Sequence, residues 1–138
     1  MSELVRLSFS LDATLEAKLE ELRTRRRYSN RSELLRDLIR DQLVEEVWEE
    51  DREAVGTVTL VFDHHAHGLH EKLTDLQHEH HDVILATTHV HLDHHLCAEV
   101  ILCRGRSGLM RSIADQLRQQ MGVLHGSLSV SSTGTELR

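Results

Sequence analysis

The sequence predicts an α+β protein in two unequal parts, a strand-helix-helix unit followed by a βαββαβ sandwich. Three observations support this fold class. An alternating apolar segment and two amphipathic helical segments occupy residues 1–48. Strand-like and helix-like segments then follow one another in the order βαββαβ over residues 56–131. The charged stretch at 49–55 separates the two patterns and predicts a linker, and residues 132–138 are expected to form a flexible tail.

The first segment, LVRLSFSL, alternates between apolar and polar residues, as a strand with one buried face does. Its apolar side chains are Val5, Leu7, Phe9 and Leu11. Its polar side chains are Arg6, Ser8 and Ser10. The sequence therefore predicts a strand with one face to bury and one face free for recognition.

Two helices are predicted after this strand. Asp12 is placed to cap a helix over about residues 13–26, whose apolar stripe contains Leu15, Leu19 and Leu22. A second helix starts after Asn30, with Glu33 at the spacing of a capping box, and extends to about residue 48. Its expected buried face consists of Leu34, Leu35, Leu38, Ile39 and Leu43.

A unit of this size with one strand cannot stand alone. A lone strand leaves its backbone hydrogen-bonding groups without partners, and so short a segment buries too little apolar surface. We therefore expect a dimer in which two of these strands pair antiparallel. The paired strands would present Arg6, Ser8 and Ser10 of both chains on one exposed face.

The second part is predicted to be a ferredoxin-like sandwich, with two helices on one face of a sheet. Strands are expected at about 56–64, 83–92, 96–104 and 123–130, and helices at about 68–80 and 106–122. In the second of these helices, the expected apolar stripe is Leu109, Ile113 and Leu117. The second and third strands are joined by a short hairpin.

Composition excludes several classes of protein. No apolar run approaches the roughly 20 residues that span a bilayer, and the start of the chain lacks the pattern of a signal peptide. Cys97 and Cys103 lie on one predicted strand, roughly 20 Å apart, too far for a disulfide. Reduced thiols indicate a cytoplasmic protein. No motif of an enzyme active site is present.

The net charge of −7 disfavours nucleic acid binding only on average, because five arginines fall within residues 23–31.

Histidine is the most informative residue type, with 12 in the chain. His89 and His91 are two residues apart on a predicted strand, so both side chains leave the same face about 7 Å apart at Cα. Cys97 begins the next strand of the hairpin. Two imidazoles and a thiolate form most of a transition-metal coordination sphere. The spacing leaves open whether the ion is Zn(II), Cu(II) or Ni(II), and which of His78, His80 and His81 supplies a fourth ligand.

A second histidine group, His64, His65, His67 and His70, is expected to bind at most an additional, weaker ion. His94 and His95 are expected to be solvated residues of the hairpin turn. Glu99 is a candidate hydrogen-bond acceptor for a ligand histidine, and Cys103 is expected to be a small core residue.

These motifs together resemble a known family. RLSFSLD followed by RRRYSNRSELLRDLIR resembles the ribbon-helix-helix repressors. With QHEHHD and THVHLDHHLCAEVILCRG, the chain is similar over about residues 5–130 to the nickel-responsive regulators of the NikR family. The resemblance implies ribbon-helix-helix domains flanking central ferredoxin-like domains of the ACT type in a homotetramer, a dimer of dimers.

The resemblance also implies site residues. It implies one Ni(II) per chain in a square-planar site, with His89, His91 and Cys97 from one chain and His78 from a neighbouring chain. The family's base-reading positions fall on Arg6, Ser8 and Ser10. Acidic positions that help bind a second cation in relatives fall on Glu33 and Asp37. The start of the second helix is expected to hold a DNA phosphate through Asn30, Arg31 and Ser32.

The function expected from these observations is a nickel-dependent transcriptional repressor that binds a palindromic double-stranded DNA operator, with no membrane or small-molecule substrate as partner. Two alternatives stay open. The chain is a metal-buffering protein or metallochaperone, or it is a ribbon-helix-helix repressor that does not depend on metal. An ACT-like amino-acid sensor fits the histidines least well.

Overall fold

A computed structural model describes residues 2–138 of the chain. The helices are α1 (Ala13–Arg25), α2 (Arg31–Glu49), α3 (Leu69–Glu79) and α4 (Ser107–Arg118). The strands are β1 (Glu53–Asp63), β2 (Ile84–His91), β3 (Leu96–Arg106) and β4 (Val123–Ser132), and a short 3-10 helix spans Thr135–Leu137. None of the described helices is long and apolar enough to cross a membrane.

The chain divides into two compact units, and the division falls inside α2. One unit extends to Leu43 and includes Leu137–Arg138, whereas the other is Val44–Glu136. The boundary expected at residue 48 therefore lies five residues further along the same helix. The segment expected to be a flexible tail from residue 132 contains the short 3-10 helix, and Arg52 forms an ion pair with Glu136 at 3.4 Å.

In the N-terminal unit, side-chain caps start both helices. The Asp12 carboxylate accepts the Leu15 N–H at 2.8 Å, and the Asn30 side-chain oxygen accepts the Glu33 N–H at 3.0 Å. The Glu33 carboxylate accepts from the Ser29 hydroxyl at 3.0 Å. Within the described residues, only one of the two hydrogen bonds of the expected capping box therefore forms, the one that the Asn30 side chain accepts.

The expected N-terminal strand does not form in the single chain, where residues 2–12 have no assigned secondary structure. Val5, Leu7 and Phe9 are 69%, 87% and 58% exposed. The apolar faces expected on both helices are covered in part: Leu19 and Leu34 are buried, Leu22, Leu35 and Leu43 are partly buried, and Leu15, Leu38 and Ile39 are exposed. The physical reason is that a β-ladder needs two strands, and one chain carries a single copy of this segment.

The second unit has the predicted ferredoxin-like topology, with four antiparallel strands in the order β2-β3-β1-β4. Side chains of β1 alternate between buried and partly exposed, as a strand covered on one face requires. The core lies between the sheet and its helices and includes Phe62, Leu60, Ile101, Leu73, Met110 and Leu117.

Two apolar residues differ from expectation. Leu109, predicted to lie in the stripe of α4, is 42% exposed, and Met110 is buried instead. Trp48, predicted to end the first unit, is 3% exposed within the core of the second. Its Nε1–H donates to the Ser131 carbonyl at 2.7 Å, and its own carbonyl accepts from the Ser107 hydroxyl at 2.7 Å. The last turns of α2 are thereby fixed to the sheet.

Candidate metal centre and DNA-facing residues

Cys97 is the centre of a cluster of metal-donor atoms at the end of the sheet. Its thiol is fully buried and lies 3.2 Å from His91 Nδ1 and 3.5 Å from His64 Nδ1. The donor atoms of these three residues all lie within 4.8 Å of one another. Two imidazole nitrogens and a sulfur suit borderline ions such as Zn(II), Cu(II) and Ni(II).

Strand pairing explains why His91 and Cys97 meet. They are directly opposite each other across the β2–β3 hairpin, and His89 is opposite Glu99 on the same face. The His89 and His91 ring centroids are 5.2 Å apart. His89 is half-buried against Phe62, and its Nδ1 is buried with no hydrogen-bond partner among the described residues. An unpaired buried nitrogen beside a thiol-imidazole pair fits the role of a metal ligand, because such an atom otherwise carries a desolvation cost.

The sequence did not point to His64 as a neighbour of Cys97; it placed His64 with the weaker histidine group. The signal was nevertheless available in the topology. β1 pairs antiparallel with β3 so that Phe62 lies opposite Cys97, and His64, two residues after Phe62, leaves the same face of the sheet diagonally across from Cys97. The His64 N–H donates to the His95 carbonyl at 2.6 Å, which ties the loop after β1 to the hairpin turn.

Burial sets the protonation of the Cys97 thiol. Desolvation raises the pKa of Cys97 above its ordinary value, and the carboxylates of Asp93, Asp63 and Glu99 raise it further. In the metal-free protein the thiol is therefore protonated at neutral pH. A cation that binds here must displace that proton.

His78 lies elsewhere in the same chain. It belongs to the last turn of α3 and lines a cavity of about 370 Å³ beside the first half of β2, with Gln77, Ile84, Thr87 and Glu99 among its neighbours. The cavity of about 340 Å³ that contains His89 and His91 is separate and lies at the other end of β2. One chain by itself therefore does not bring His78 into the cluster around Cys97.

The sequence predicts that Glu99 accepts a hydrogen bond from a ligand histidine, but in the structure its partner is Gln77. Glu99 is 4% exposed, and its Oε1 accepts from Gln77 Nε2 at 3.3 Å. The Gln77 oxygen in turn accepts from the Thr87 hydroxyl at 2.6 Å. This chain of hydrogen bonds connects α3 to the middle of β2 and β3. Cys103 is buried in the core as expected, and both cysteines are free.

The residues expected to read DNA bases, Arg6, Ser8 and Ser10, are all exposed. The start of α2 is less open than expected, because Arg31 forms ion pairs with Glu20 and with Glu16, the latter at 3.1 Å. Hydrogen bonds from Arg31 and from Arg23 hold the pKa of Glu20 below its ordinary value. Ser32 is exposed beside them.

The two acidic residues expected to bind a second cation already have partners. The Asp37 carboxylate accepts from the Tyr28 hydroxyl at 2.5 Å, which raises the pKa of Tyr28, and it forms an ion pair with Arg40 at 3.4 Å. Glu33 is bound to Ser29 as described above. Arg36 and Arg40 line the same small cavity as both acids, so a cation there would compete with two guanidinium groups. The second cation site stays a prediction.

The C-terminal part of the protein is a ferredoxin-like sandwich that holds a cluster of transition-metal donor atoms, a thiol and imidazoles. It is joined to a helical unit that carries an exposed alternating segment. Comparison with known proteins identifies both parts. Residues 55–131 match the model of the NikR C terminal nickel binding domain, and residues 5–46 match that of ribbon-helix-helix proteins of the copG family. The chain therefore belongs to the NikR family of nickel-responsive regulators. This family consists of transcriptional regulators and not of enzymes, as the sequence predicted.

Relatives match along the whole chain. A protein of Solibacter usitatus is 51% identical and covers 100% of both chains. Proteins of Desulfovibrio desulfuricans and Geobacter sulfurreducens are 47% and 49% identical, each over 99% of both chains. All three are named as nickel-responsive regulators. Among solved structures, an uncharacterised protein of Thermotoga maritima matches 57% of this chain and 98% of its own, with a TM-score of 0.52 and 12% identity. That likeness shows a shared fold alone.

Proposed function

We propose that the chain is a nickel-dependent transcriptional repressor that acts as a homotetramer, with one Ni(II) per chain, on a palindromic DNA operator. The observation that carries the proposal is the buried Cys97 thiol beside His91 and His89, in a chain whose N-terminal apolar segment is left uncovered. The first feature suits the binding of a thiophilic cation, and the second is an apolar surface that another copy of the chain would bury.

In this proposal His89, His91 and Cys97 of one chain and His78 of another hold the ion. When bound, Ni(II) supplies a link between two chains. The position of His78 supports the sharing. β2 is an edge strand, with His78 beside its first half and His89 and His91 at its second half. A two-fold axis across the middle of β2 would exchange these halves and bring His78 of each chain to the cluster of the other.

Two separate apolar surfaces support a dimer of dimers. One is the N-terminal segment, where Leu7 and Phe9 are exposed. The other is the face of the sheet opposite the helices, where Val90, Val100 and Leu102 are 45%, 39% and 37% exposed on neighbouring strands. A protein that buries each of these surfaces against a second copy forms two kinds of two-fold interface, which is the arrangement of a tetramer.

The DNA contacts follow from pairing the N-terminal segments. With Leu7 and Phe9 turned into the dimer, Arg6, Ser8 and Ser10 face outward into a major groove, where Arg6 offers a bidentate contact to guanine. Free N–H groups at the start of α2, with Ser32, would hold a phosphate. Arg31 would first have to leave Glu16 and Glu20. Since both copies present the same residues, the recognised sequence is expected to be a palindrome.

A selection experiment tests this function. Full-length protein loaded with Ni(II) is incubated with random DNA duplexes, and bound duplexes are sequenced after several rounds, in parallel with protein in chelator. We expect a palindrome enriched in the nickel arm alone. Enrichment of one sequence to the same degree in both arms would instead identify a metal-independent repressor.

Mixing two inactive variants tests the shared site. His78→Ala and Cys97→Ala chains are unfolded together, refolded as mixed oligomers, and titrated with Ni(II). If the site is shared between chains, the mixture regains sites that combine an intact His78 with an intact Cys97. If all four ligands came from one chain, the mixture would bind no better than either variant alone.

Metal buffering is the second candidate function, and one observation favours it. Six imidazole rings form a continuous row, His70–His89–His91–His64–His65–His95, with successive centroids 4.8–5.4 Å apart. So many nitrogens suit storage of several ions. A protein that buffers metal would show no sequence preference in the selection experiment.

A further inference from the structure

Five arginines lie within residues 23–31, and nearby acids neutralise three of them. These three form the ion pairs Arg23–Glu20 at 3.0 Å, Arg25–Glu21 at 3.4 Å and Arg31–Glu16 at 3.1 Å. Arg26 and Arg27 lie in the turn between α1 and α2, are exposed, and form no ion pair within residues 2–138. We propose that these two arginines bind phosphates of the DNA backbone, next to the phosphate held at the start of α2; this assignment rests on the proposed function, in which the chain binds DNA.

Hydrogen bonds fix the turn that carries the two arginines. The Arg27 N–H donates to the Thr24 carbonyl at 3.2 Å, and the Tyr28 N–H donates to the Arg23 carbonyl at 3.1 Å. The Arg23 guanidinium donates to the Tyr28 carbonyl at 3.1 Å, and the Tyr28 hydroxyl donates to Asp37 on α2 at 2.5 Å. The backbone entropy that a flexible loop would lose on binding DNA is therefore already lost on folding.

The backbone of Arg27 has a φ of +60°. This left-handed conformation favours glycine, and any other side chain raises its energy. Residues strained in this way concentrate at functional sites. Because glycine would form the same turn without strain, the turn does not account for an arginine at this position. A ligand for the guanidinium group does account for it.

The turn lies next to the phosphate expected at α2. Arg27 is three residues before Asn30, whose side chain caps α2, so their Cα atoms are at most about 11 Å apart. Successive phosphates of one DNA strand are spaced at about 3.4 Å along the helix axis. The guanidinium groups in this turn therefore lie within reach of the neighbouring phosphates of the same backbone. The planar N–H groups of arginine suit bidentate contacts with phosphate oxygens.

The charge of the whole chain makes this surface distinctive. The net charge is −7, so a phosphate backbone is attracted only where positive charge is concentrated. An arginine that is paired with an acid must leave that acid before it binds a phosphate, as Arg31 must leave Glu16. Arg26 and Arg27 bind without that cost.

The salt dependence of DNA binding tests the proposal. Full-length protein loaded with Ni(II) is titrated with a random-sequence duplex and with the selected operator at several salt concentrations, and sedimentation velocity gives the number of chains bound. Each phosphate contact contributes about 0.9 to the slope of log K against log salt concentration. The double variant R26Q/R27Q should therefore lower the magnitude of this slope by about 1.8 for each bound chain. It should do so on both duplexes and leave the ratio of the two affinities unchanged, because phosphate contacts carry no sequence information.

The matched control is R104Q/R118Q, which removes the same charge from two exposed arginines of the C-terminal unit. Both of these arginines pair with acids, Glu53 and Asp115, and the control should keep the slope of the unaltered protein.

A third variant, R27G, separates a DNA contact from a structural role. It removes the charge and the backbone strain together, so DNA affinity should fall while the midpoint of chemical denaturation stays the same or rises. If Arg27 served the turn alone, R27G would bind both duplexes as tightly as the unaltered protein.

Three outcomes would overturn the proposal: a slope change below about 0.9 per chain for R26Q/R27Q, an equal change in the control, or full DNA affinity in R27G. The proposed function fails by a different result, equal operator affinity of the unaltered protein with nickel and with chelator. In that case the slope on the random-sequence duplex still decides whether the two arginines bind phosphate. A protein that binds neither duplex would overturn both proposals.

Discussion

Leu7→Ala, compared with Ser8→Ala, tests whether the N-terminal segments pair. Leu7 is 87% exposed in the single chain, and Ser8 is its neighbour on the opposite face. Burial is worth about 0.8 kcal/mol per CH₂ group, so removing roughly three carbons from Leu7 costs about 2.4 kcal/mol per copy and about 5 kcal/mol per paired ribbon. At 1.4 kcal/mol per tenfold change, dimerisation through this segment would weaken by about three orders of magnitude.

Sedimentation velocity measures the assembly, and fluorescence anisotropy with the selected operator measures DNA binding. We expect Leu7→Ala to lose the larger assembly and DNA binding together. Ser8→Ala should keep the assembly and lose operator affinity alone. A Leu7→Ala protein with unchanged sedimentation and unchanged operator affinity would refute the idea that these residues pair two chains.

The other predictions concern the metal centre and the packing that supports it. Because the pKa of the Cys97 thiol is raised, nickel must displace the thiol proton at neutral pH. Nickel affinity should therefore rise about tenfold per pH unit until the thiol ionises by itself. Nickel titrations between pH 6 and 8 that give the same affinity throughout would contradict this. Trp48→Ala removes a buried ring and leaves the Ser131 carbonyl without its donor, so chemical denaturation should show a loss of about 3–5 kcal/mol; a loss below about 1 kcal/mol would mean that α2 is not fixed to the sheet. Gly122→Ala places a Cβ 2.7 Å from the Ala66 Cβ at a φ of +99°, and the same assay should show a loss of at least about 1 kcal/mol in the free energy of unfolding. Gly134 has a φ of +92° and open space around it. Gly134→Ala therefore adds the backbone strain without the clash and should cost less stability than Gly122→Ala.

Periodicity predicted most of the C-terminal unit. The alternation in the strands and the order βαββαβ were enough to predict the sheet. The short hairpin was enough to place Cys97 near the face of His89 and His91, and the structure pairs it with His91. What periodicity could not predict was contact between distant segments. His64 is 33 residues from Cys97 in the chain, and its place there depends on β1 lying next to β3.

Packing choices were the other source of error. Leu109 and Met110 are adjacent, and either fits a stripe at helical spacing, so only the direction from which α4 meets the sheet decides that Met110 is buried. The sequence predicts Trp48 at the end of the first unit because the helical pattern of α2 continues to that residue. Its burial in the second unit depends on Gly56, where a Cβ would lie 3.1 Å from the indole ring. No rule of helix periodicity contains that information.

The N-terminal strand is a different case, since the sequence predicted both the segment and the reason why one chain does not complete it. Val5, Leu7 and Phe9 are exposed in the single chain, and in the proposed dimer a second copy would cover them. The same holds for His78, whose place in the proposed metal site depends on a second chain. Sequence and single-chain structure agree in leaving these two features incomplete.

The most direct test of the account is the affinity of the full-length protein for its selected operator with Ni(II) and with chelator, at one fixed salt concentration. We expect binding at least about tenfold tighter with nickel, which corresponds to a coupling free energy of about 1.4 kcal/mol, and no such gain for Cys97→Ser. Equal operator affinity with and without nickel in the unaltered protein would contradict the claim that the metal centre controls DNA binding.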